Sequence, residues 1–164
     1  MPNGHGTERR FLSMEERCRI CIESALAARA VVESFLGSYV DVGDILVLTP
    51  FRAQRALLRK IFGKTAFRGV RVATVHKSQG SESPVVVFDP VTASTRFLDS
   101  PNGRRLINVA ISRARNHVNI IYNSGDLKNM TMRKIFMIAA VRRPKNDYAM
   151  PFRFFNPSGL HRNL

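Results

Sequence analysis

The sequence predicts an α/β fold in which a parallel sheet is covered by helices on both faces. Short apolar or β-branched runs alternate along the chain with segments of helical periodicity. One run, Ile45–Leu48, is apolar at every position, as is usual for a strand buried on both faces. With 164 residues, 45% of them hydrophobic, the chain is long enough to fold around one core, so we expect a single domain.

The charge of the chain is strongly positive. It contains 26 Lys and Arg against 12 Asp and Glu, a formal net charge of +14. A protein this basic attracts polyanions, and nucleic acid is the first partner to expect. No apolar run approaches the roughly 18 residues that cross a bilayer, and the N-terminal residues lack the apolar core of a signal peptide. We therefore expect no membrane partner, and a cytoplasmic location, or a nuclear one in a eukaryote.

The N-terminal part of the chain is predicted to be a flexible leader followed by a helix. Residues 1–12 are Gly-rich and basic, as is usual for loose termini. Ser13 and Glu16 form a capping box, which predicts a helix that runs to Leu36 and is stopped by Gly37.

The two cysteines, Cys18 and Cys21, are predicted to lie on the apolar face of that helix. The four histidines are scattered along the chain, so a zinc site would lack further ligands, and no metal site is expected. Buried reduced thiols are the favoured interpretation, and a redox pair is the alternative.

The domain is expected to extend over residues 13–141. Thr49, Pro50 and Phe51 end its first strand, and a long polar connection covers Pro90–Gly103. A basic tail, residues 142–164, has no predicted place. The remaining predicted elements are, in chain order, strand Ile45–Leu48, helix Gln54–Phe62, strand Val70–Val75, strand Val85–Phe88, helix Leu106–Ala114, strand Val118–Tyr122 and helix Met130–Val141.

A polar loop between two of these strands is the strongest candidate for a site. Gly80 lies among donors and acceptors, and its missing side chain would let a ligand approach the backbone. Parallel sheets bind ligands at the carboxyl ends of their strands. We therefore expect Thr49–Arg55, Thr74–Glu82 and Ser112–Arg115 to meet at that edge; the alternative for the loop is a solvated turn.

Two arginines in the third of these segments suit a phosphate ligand. On the predicted helix, Ile107 and Ala110 face the core, so Arg113 and Arg115 should point away from it. The planar guanidinium group makes bidentate, charge-assisted hydrogen bonds to phosphate. The alternative for two exposed arginines is plain solvation.

Three stretches of the sequence resemble motifs IV, V and VI of the superfamily 1 helicases, in that order. The resemblance covers about Glu33–Asp126 and implies a RecA-like P-loop NTPase-type fold, as the second of two RecA-like lobes. It points to the branch of the nonsense-decay and RecD-type helicases, because motifs IV and V are too close for the accessory domain of the UvrD-type branch. The stretches are Thr49-Pro-Phe-Arg-Ala-Gln-Arg55, Thr74-Val-His-Lys-Ser-Gln-Gly-Ser-Glu82 and Asn108-Val-Ala-Ile-Ser-Arg-Ala-Arg115.

The resemblance implies roles by position. Such lobes share ATP and Mg with a first lobe, and single-stranded DNA or RNA lies across both. Arg113 matches the arginine finger of motif VI and Arg55 a second phosphate-facing arginine, so both are the candidates for catalysis. The implied nucleotide contacts are Gln54, Gln79, Gly80 and Glu82, and the implied nucleic-acid contacts are Thr49, Pro50, Thr74, His76 and Lys77.

The chain departs from the helicase pattern because it shows no Walker A or Walker B motif. Gly63-Lys-Thr65 resembles the end of a P-loop, but Leu58 occupies the first glycine position and the preceding segment is predicted to be helical. We therefore expect the chain to be inactive alone and to act with a first RecA-like lobe, in cis or in trans. The alternative is a non-enzymatic nucleic-acid-binding module with the fold of a helicase lobe.

Overall fold

The computed structural model describes residues 20–91, 99–122, 134 and 152–155. Within them the helices are α1 (Ile22–Glu33), α2 (Arg52–Phe62) and α3 (Pro101–Ser112), and the strands are β1 (Ile45–Thr49), β2 (Arg71–Thr74), β3 (Ser83–Phe88), β4 (Ala114–Ile121) and β5 (Phe152–Phe155). The five strands form one sheet in the order β2-β1-β3-β4-β5, and every neighbouring pair is parallel.

Helices cover both faces of this sheet. Successive residues of a strand point to opposite faces, so Ile45 and Val47 pack with α1 and α2, whereas Leu46 and Leu48 pack with α3. All five residues of β1 are buried, as the continuous apolar run requires. The predicted α/β fold with a parallel sheet is confirmed.

The first helix begins later than the sequence predicts. Cys21 has an extended backbone and caps α1, so a continuous helix from Ser13 to Leu36 is wrong. The Cys21 N–H donates to Gln54 Oε1 at 2.9 Å and its carbonyl accepts from Gln54 Nε2 at 2.9 Å. These bonds tie the residue to α2, and its free thiol is partly buried at the helix start and not on an inner helix face. The helix ends at Glu33 with Ser34 as its C-cap, so the predicted end at Leu36, stopped by Gly37, is also wrong; Gly37 lies three residues beyond the cap, in a turn, with a φ of 83°.

The helix predicted at Leu106–Ala114 is shifted toward the N-terminus. The side chain of Ser100 accepts a hydrogen bond from the Gly103 N–H at 3.1 Å, and Pro101 occupies the first turn, a favourable N-terminal pair. The helix ends at Ser112 because Ala114 already pairs with Ser83 of β3. The predicted polar connection Pro90–Gly103 is correspondingly too long.

Part of the tail joins the sheet. Residues Phe152–Phe155 pair in parallel with β4 as its outer neighbour. The leader and the predicted helix Met130–Val141 lie outside the described residues, apart from Lys134, which is helical. No helix in the described ranges has the length and apolarity needed to cross a membrane.

Candidate nucleotide and nucleic-acid site

Strands β1 and β2 are neighbours, and they end next to each other at the carboxyl edge of the sheet. Thr49 and Thr74 are the last residues of β1 and β2 and pair in register. Both are buried, with 0% and 4% of their surface exposed, and Thr49 Oγ1 accepts from the Phe51 N–H at 3.5 Å. The two threonine side chains therefore belong to the interior of the sheet, while the adjoining Pro50 is partly exposed.

The exposed polar groups at this edge come from the loop that follows β2. His76 and Lys77 lie in a short 3-10 turn, Val75–Ser78, and both are solvent-exposed. The turn packs against α3, and Ser78 Oγ donates to the Val75 carbonyl at 2.7 Å. These contacts fix the backbone of the turn, so the side chains of His76 and Lys77 project from a defined position.

Gly80 ends the next bend with a φ of +82°, a conformation that L side chains rarely adopt. Apart from Gly80 and its two chain neighbours, no atom of the described residues lies within 4 Å of the position that a Cβ would occupy there. The glycine is therefore required by backbone conformation, and one side of it is open. Its neighbours Gln79 and Glu82 are exposed as well.

Arg113 lies at the opposite edge of the sheet from the two threonines. Its carbonyl accepts from the Ser83 N–H at 2.9 Å, and the next residue, Ala114, pairs with Ser83 at the start of β3. The expectation that Ser112–Arg115 reaches the carboxyl edge is wrong, because α3 runs back across the sheet before β4 begins. The loop Thr74–Glu82 spans both edges, so its final residues meet Arg113.

Two further contacts hold the end of this loop. Glu82 forms an ion pair with Arg115, with Arg115 Nε 3.1 Å from Glu82 Oε2, and the two side chains are 52% and 64% exposed. Arg71 Nη2 donates to the Glu82 carbonyl at 3.3 Å. Arg115 was predicted to lie on a helix, but it is the second residue of β4.

The guanidinium groups of Arg55 and Arg113 share an unusual property. The Nε of each is buried and has no hydrogen-bond partner; among the described residues only one other buried side-chain atom, Asn119 Nδ2, is in this state. A buried unpaired donor costs about 1–3 kcal/mol. Each Nε is shielded from solvent, so an anion outside the domain would be bound through the terminal Nη groups of these arginines by charge-assisted hydrogen bonds.

The two arginines do not belong to the same part of the sheet. Arg55 lies in the first turn of α2, close to the carboxyl edge, and α2 covers the face opposite α3. Arg113 follows the last residue of α3 at the amino edge. The structure therefore brings Arg113 together with the end of the Thr74–Glu82 loop and leaves Arg55 in a separate position.

Gln54 is fully buried, and its amide is used by protein partners. Besides its two bonds to Cys21, Gln54 Nε2 donates to Asp89 Oδ2 at 2.7 Å and lies 3.1 Å from Ser24 Oγ. This arrangement leaves no part of the side chain at the surface. The geometry therefore favours a structural role for Gln54 and not a direct nucleotide contact.

Asp89 is the residue that sequence reasoning missed. It directly follows the apolar strand β3. Its carboxylate accepts from Gln54, from Ser24 Oγ at 3.2 Å and from the Val91 N–H at 3.1 Å. Burial raises its pKa to about 6, against the lowering effect of these three hydrogen bonds. The carboxylate therefore faces the protein interior.

The segment that resembles a P-loop does not have the structure of one. Helix α2 ends at Phe62, Gly63 caps it, and Lys64 precedes a 3-10 turn, Thr65–Phe67. The prediction that the segment preceding Gly63 is helical is confirmed. Among the residues that the structure describes, no group of three His, Cys, Asp or Glu side chains could hold a metal ion.

Known proteins match this chain over most of its length. A family model described as an AAA domain matches residues 7–125. The chain is 31% identical over 108 residues to the DNA replication ATP-dependent helicase/nuclease DNA2 of Saccharomyces cerevisiae, covering 65% of this chain and 7% of that protein. It is 33% identical over 106 residues to the helicase sen1 of Schizosaccharomyces pombe, covering 60% and 6%. It is also 33% identical over 103 residues to a regulator of nonsense transcripts 1 homolog of Neurospora crassa, covering 57% and 9%. The chain thus spans less than a tenth of the length of each of these relatives.

Proposed function

The chain belongs to the AAA domain family found in superfamily 1 helicases, and we propose from this membership that it is the second RecA-like motor lobe of an ATP-dependent helicase. The first RecA-like lobe, in the same or a separate chain, would supply the Walker motifs. Single-stranded DNA or RNA would lie across both lobes.

The position of Arg113, partly exposed beside the end of the Gln79–Glu82 loop, is the observation that supports this proposal most directly. The arginine is anchored through its own carbonyl to Ser83, next to the exposed end of the Gln79–Glu82 loop. Its guanidinium could donate hydrogen bonds to the γ-phosphate of an ATP that the first lobe holds. That ATP would supply the phosphoryl group, and the Mg bound with it would neutralise part of its charge. Arg113 would then stabilise the charge of the transferring phosphoryl group, as arginine fingers do.

The exposed loop residues have a complementary role in this proposal. The Gln79 amide can donate hydrogen bonds to the nucleotide or accept them from it, and the Glu82 carboxylate can accept them, beside the open side of Gly80. The Arg115 ion pair holds Glu82 without burying it. Because the loop begins at β2 and ends at β3, it joins the nucleotide-facing edge to the edge that bears His76 and Lys77.

Arg55 and Gln54 enter the proposal in different ways. Arg55 is partly exposed in the first turn of α2, which supports a phosphate contact on the α2 side of the lobe. Gln54 supports that contact indirectly, because its bonds to Cys21 and Asp89 fix the first turn of α2, in which Arg55 lies. Gln54 is thus proposed as a positioning residue.

His76 and Lys77 are the proposed contacts to nucleic acid. Both are exposed on a turn whose backbone is fixed by α3, whereas Thr49 and Thr74 are buried beneath it. Contacts of this kind to phosphates position a strand without reading its sequence. Pro50, which directly follows β1 at the same edge, is proposed as a further contact to nucleic acid.

A reconstitution experiment tests the proposal. The chain is mixed with the first lobe of a helicase relative, and ATP hydrolysis is measured with and without single-stranded DNA or RNA. We expect negligible turnover by either part alone, and nucleic-acid-stimulated turnover by the mixture that Arg113→Ala removes. Arg105→Ala, on the exposed side of α3, is the matched control. Nucleic-acid binding without turnover in any mixture would instead support the non-enzymatic module.

A further inference from the structure

A second basic surface lies outside the proposed site. The 37 residues from Ile45 to Ser81 contain no Asp or Glu. They contain eight Lys and Arg residues: Arg52, Arg55, Arg59, Lys60, Lys64, Arg68, Arg71 and Lys77. Only Lys77 belongs to the proposed nucleic-acid edge and only Arg55 to the proposed phosphate contacts, so most of this charge has no role in the proposed function.

Five of these cations are grouped at the end of α2 and the start of β2, and together we call them the basic platform. All five are solvent-exposed: Arg59, Lys60, Lys64, Arg68 and Arg71. A cleft of about 480 Å³ lies within the platform, in the size range of small-ligand pockets. Guanidinium groups and apolar side chains line it, namely Arg59, Phe62, Gly63, Val70, Arg71 and Val72.

The backbone that bears the platform is held firmly. Phe67 is 3% exposed and its ring meets Phe62 edge to face, with centroids 5.3 Å apart. The Arg29 guanidinium lies 5.6 Å above the Phe67 ring, on the side of α1. Hydrogen bonds from the Phe67 and Val70 N–H groups close the turn at 3.0 Å each. The cationic side chains therefore project from a rigid turn.

The described residues do not neutralise the platform charges. None of the five cations forms an ion pair with a described residue, since the ion pairs there join Arg29 to Glu33 and Arg115 to Glu82. Arg71 donates to the backbone carbonyl of Glu82 and not to its carboxylate. A cluster of exposed, unpaired Lys and Arg attracts an extended polyanion, because each phosphate contact releases condensed counterions.

We propose that the basic platform is a second binding site for the phosphate backbone of a nucleic acid, with one sugar-phosphate unit entering the cleft between Arg59 and Arg71. The platform is at the amino end of β2, whereas His76 and Lys77 follow the carboxyl end of the same strand. A single strand bound at one end of β2 can therefore extend along this outer strand of the sheet to the other. The site does not depend on ATP or on the first lobe.

The experiment compares two double variants of the full chain that lose the same charge. Arg59→Gln with Arg68→Gln removes two platform cations, and Arg104→Gln with Arg105→Gln removes two exposed cations from α3. Binding to a fluorescein-labelled 30-nucleotide single strand is measured by anisotropy over a range of salt concentrations, with circular dichroism to verify folding.

We expect the platform variant to bind the single strand roughly tenfold more weakly at low salt. The slope of the logarithm of its binding constant against the logarithm of the salt concentration should become less steep by about 1.4, because each of the two lost phosphate contacts contributes about 0.7 on a single strand. The α3 variant should remain within about twofold of the wild type, because its cations lie outside the platform. Equal losses in both variants would show general attraction by net charge and would overturn the proposal, as would no loss in either. His76→Ala and Lys77→Ala should weaken nucleic-acid binding at the edge that bears these two residues. They should leave the difference in salt dependence between the two double variants unchanged, so the platform and the proposed helicase function can fail separately.

Discussion

Gln54 Nε2 donates a 2.7 Å hydrogen bond to Asp89 Oδ2, and both side chains have no exposed surface. The bond joins the first turn of α2 to the end of β3, and Gln54 also holds the backbone of Cys21 where α1 begins. The side-chain amide of Gln54 therefore holds together the start of α1, the start of α2 and the end of β3. The orientation of that amide is determined by the Cys21 N–H, which requires Oε1 on its side and leaves Nε2 to face the carboxylate.

Replacement of Gln54 should destabilise the whole domain. Gln54→Ala removes two donors and one acceptor and leaves the Asp89 carboxylate buried with fewer hydrogen bonds, so we expect a loss of about 3 kcal/mol in the free energy of unfolding. Gln79→Ala, the same change at an exposed position, should alter it by no more than about 0.5 kcal/mol. Urea unfolding followed by circular dichroism measures both. Similar losses in the two variants would rule out the structural role of Gln54.

Asp89 should make stability depend on pH in a defined direction. Burial raises its pKa from 3.8 to about 6, so between these values the native state binds the proton more tightly than the unfolded chain does. The stability contributed by the protonated form is fully present below about pH 4 and is lost as the pH rises through 6. Compared with Asp89→Asn, which does not titrate, the wild type should lose on the order of 3 kcal/mol between pH 4 and pH 7. A stability difference between the two proteins that stays constant over this range would contradict the assignment.

Glu82 should matter for activity and little for stability. Its ion pair with Arg115 is about half exposed, and such pairs contribute about 0–1 kcal/mol. Glu82→Gln and Arg115→Gln break the same pair, so both should change the free energy of unfolding by less than about 1 kcal/mol. In the reconstituted two-lobe enzyme, Glu82→Gln should reduce ATP turnover more than Arg115→Gln does. Equal turnover in the two variants would exclude a nucleotide contact by Glu82.

The sequence was sufficient to predict the layers of the fold but not the edge at which each motif lies. Apolar runs such as Ile45–Leu48 are typical of strands in a parallel sheet covered on both faces, and the structure contains such a sheet. The position of Arg113 depends on where α3 stops, and this is decided by pairing between Ala114 and Ser83, a contact across 31 positions of the chain that helical periodicity does not report.

The burial of some polar residues could not be predicted from the sequence. Gln54, Thr49 and Thr74 were assigned to ligand contacts by their match to the helicase motifs, and such a match does not report whether a side chain is buried. Their burial follows from partners that are distant in sequence, such as Asp89 for Gln54. The burial of Gln54 could have been suspected from Asp89, because a carboxylate that directly follows four apolar strand residues needs hydrogen-bond donors from another element.

The most direct test of the account is the binding of a transition-state analogue. ADP with aluminium fluoride mimics the transferring phosphoryl group, and its affinity for the reconstituted two-lobe complex can be compared with that of ADP alone. We predict that Arg113→Ala weakens binding of the analogue by about 100-fold or more and changes ADP affinity by less than about threefold, since a finger acts on charge present only in the transition state. Arg105→Ala should change neither affinity. Unchanged binding of the analogue by Arg113→Ala, or an equal loss for ADP, would contradict the claim that Arg113 completes the nucleotide site of another lobe.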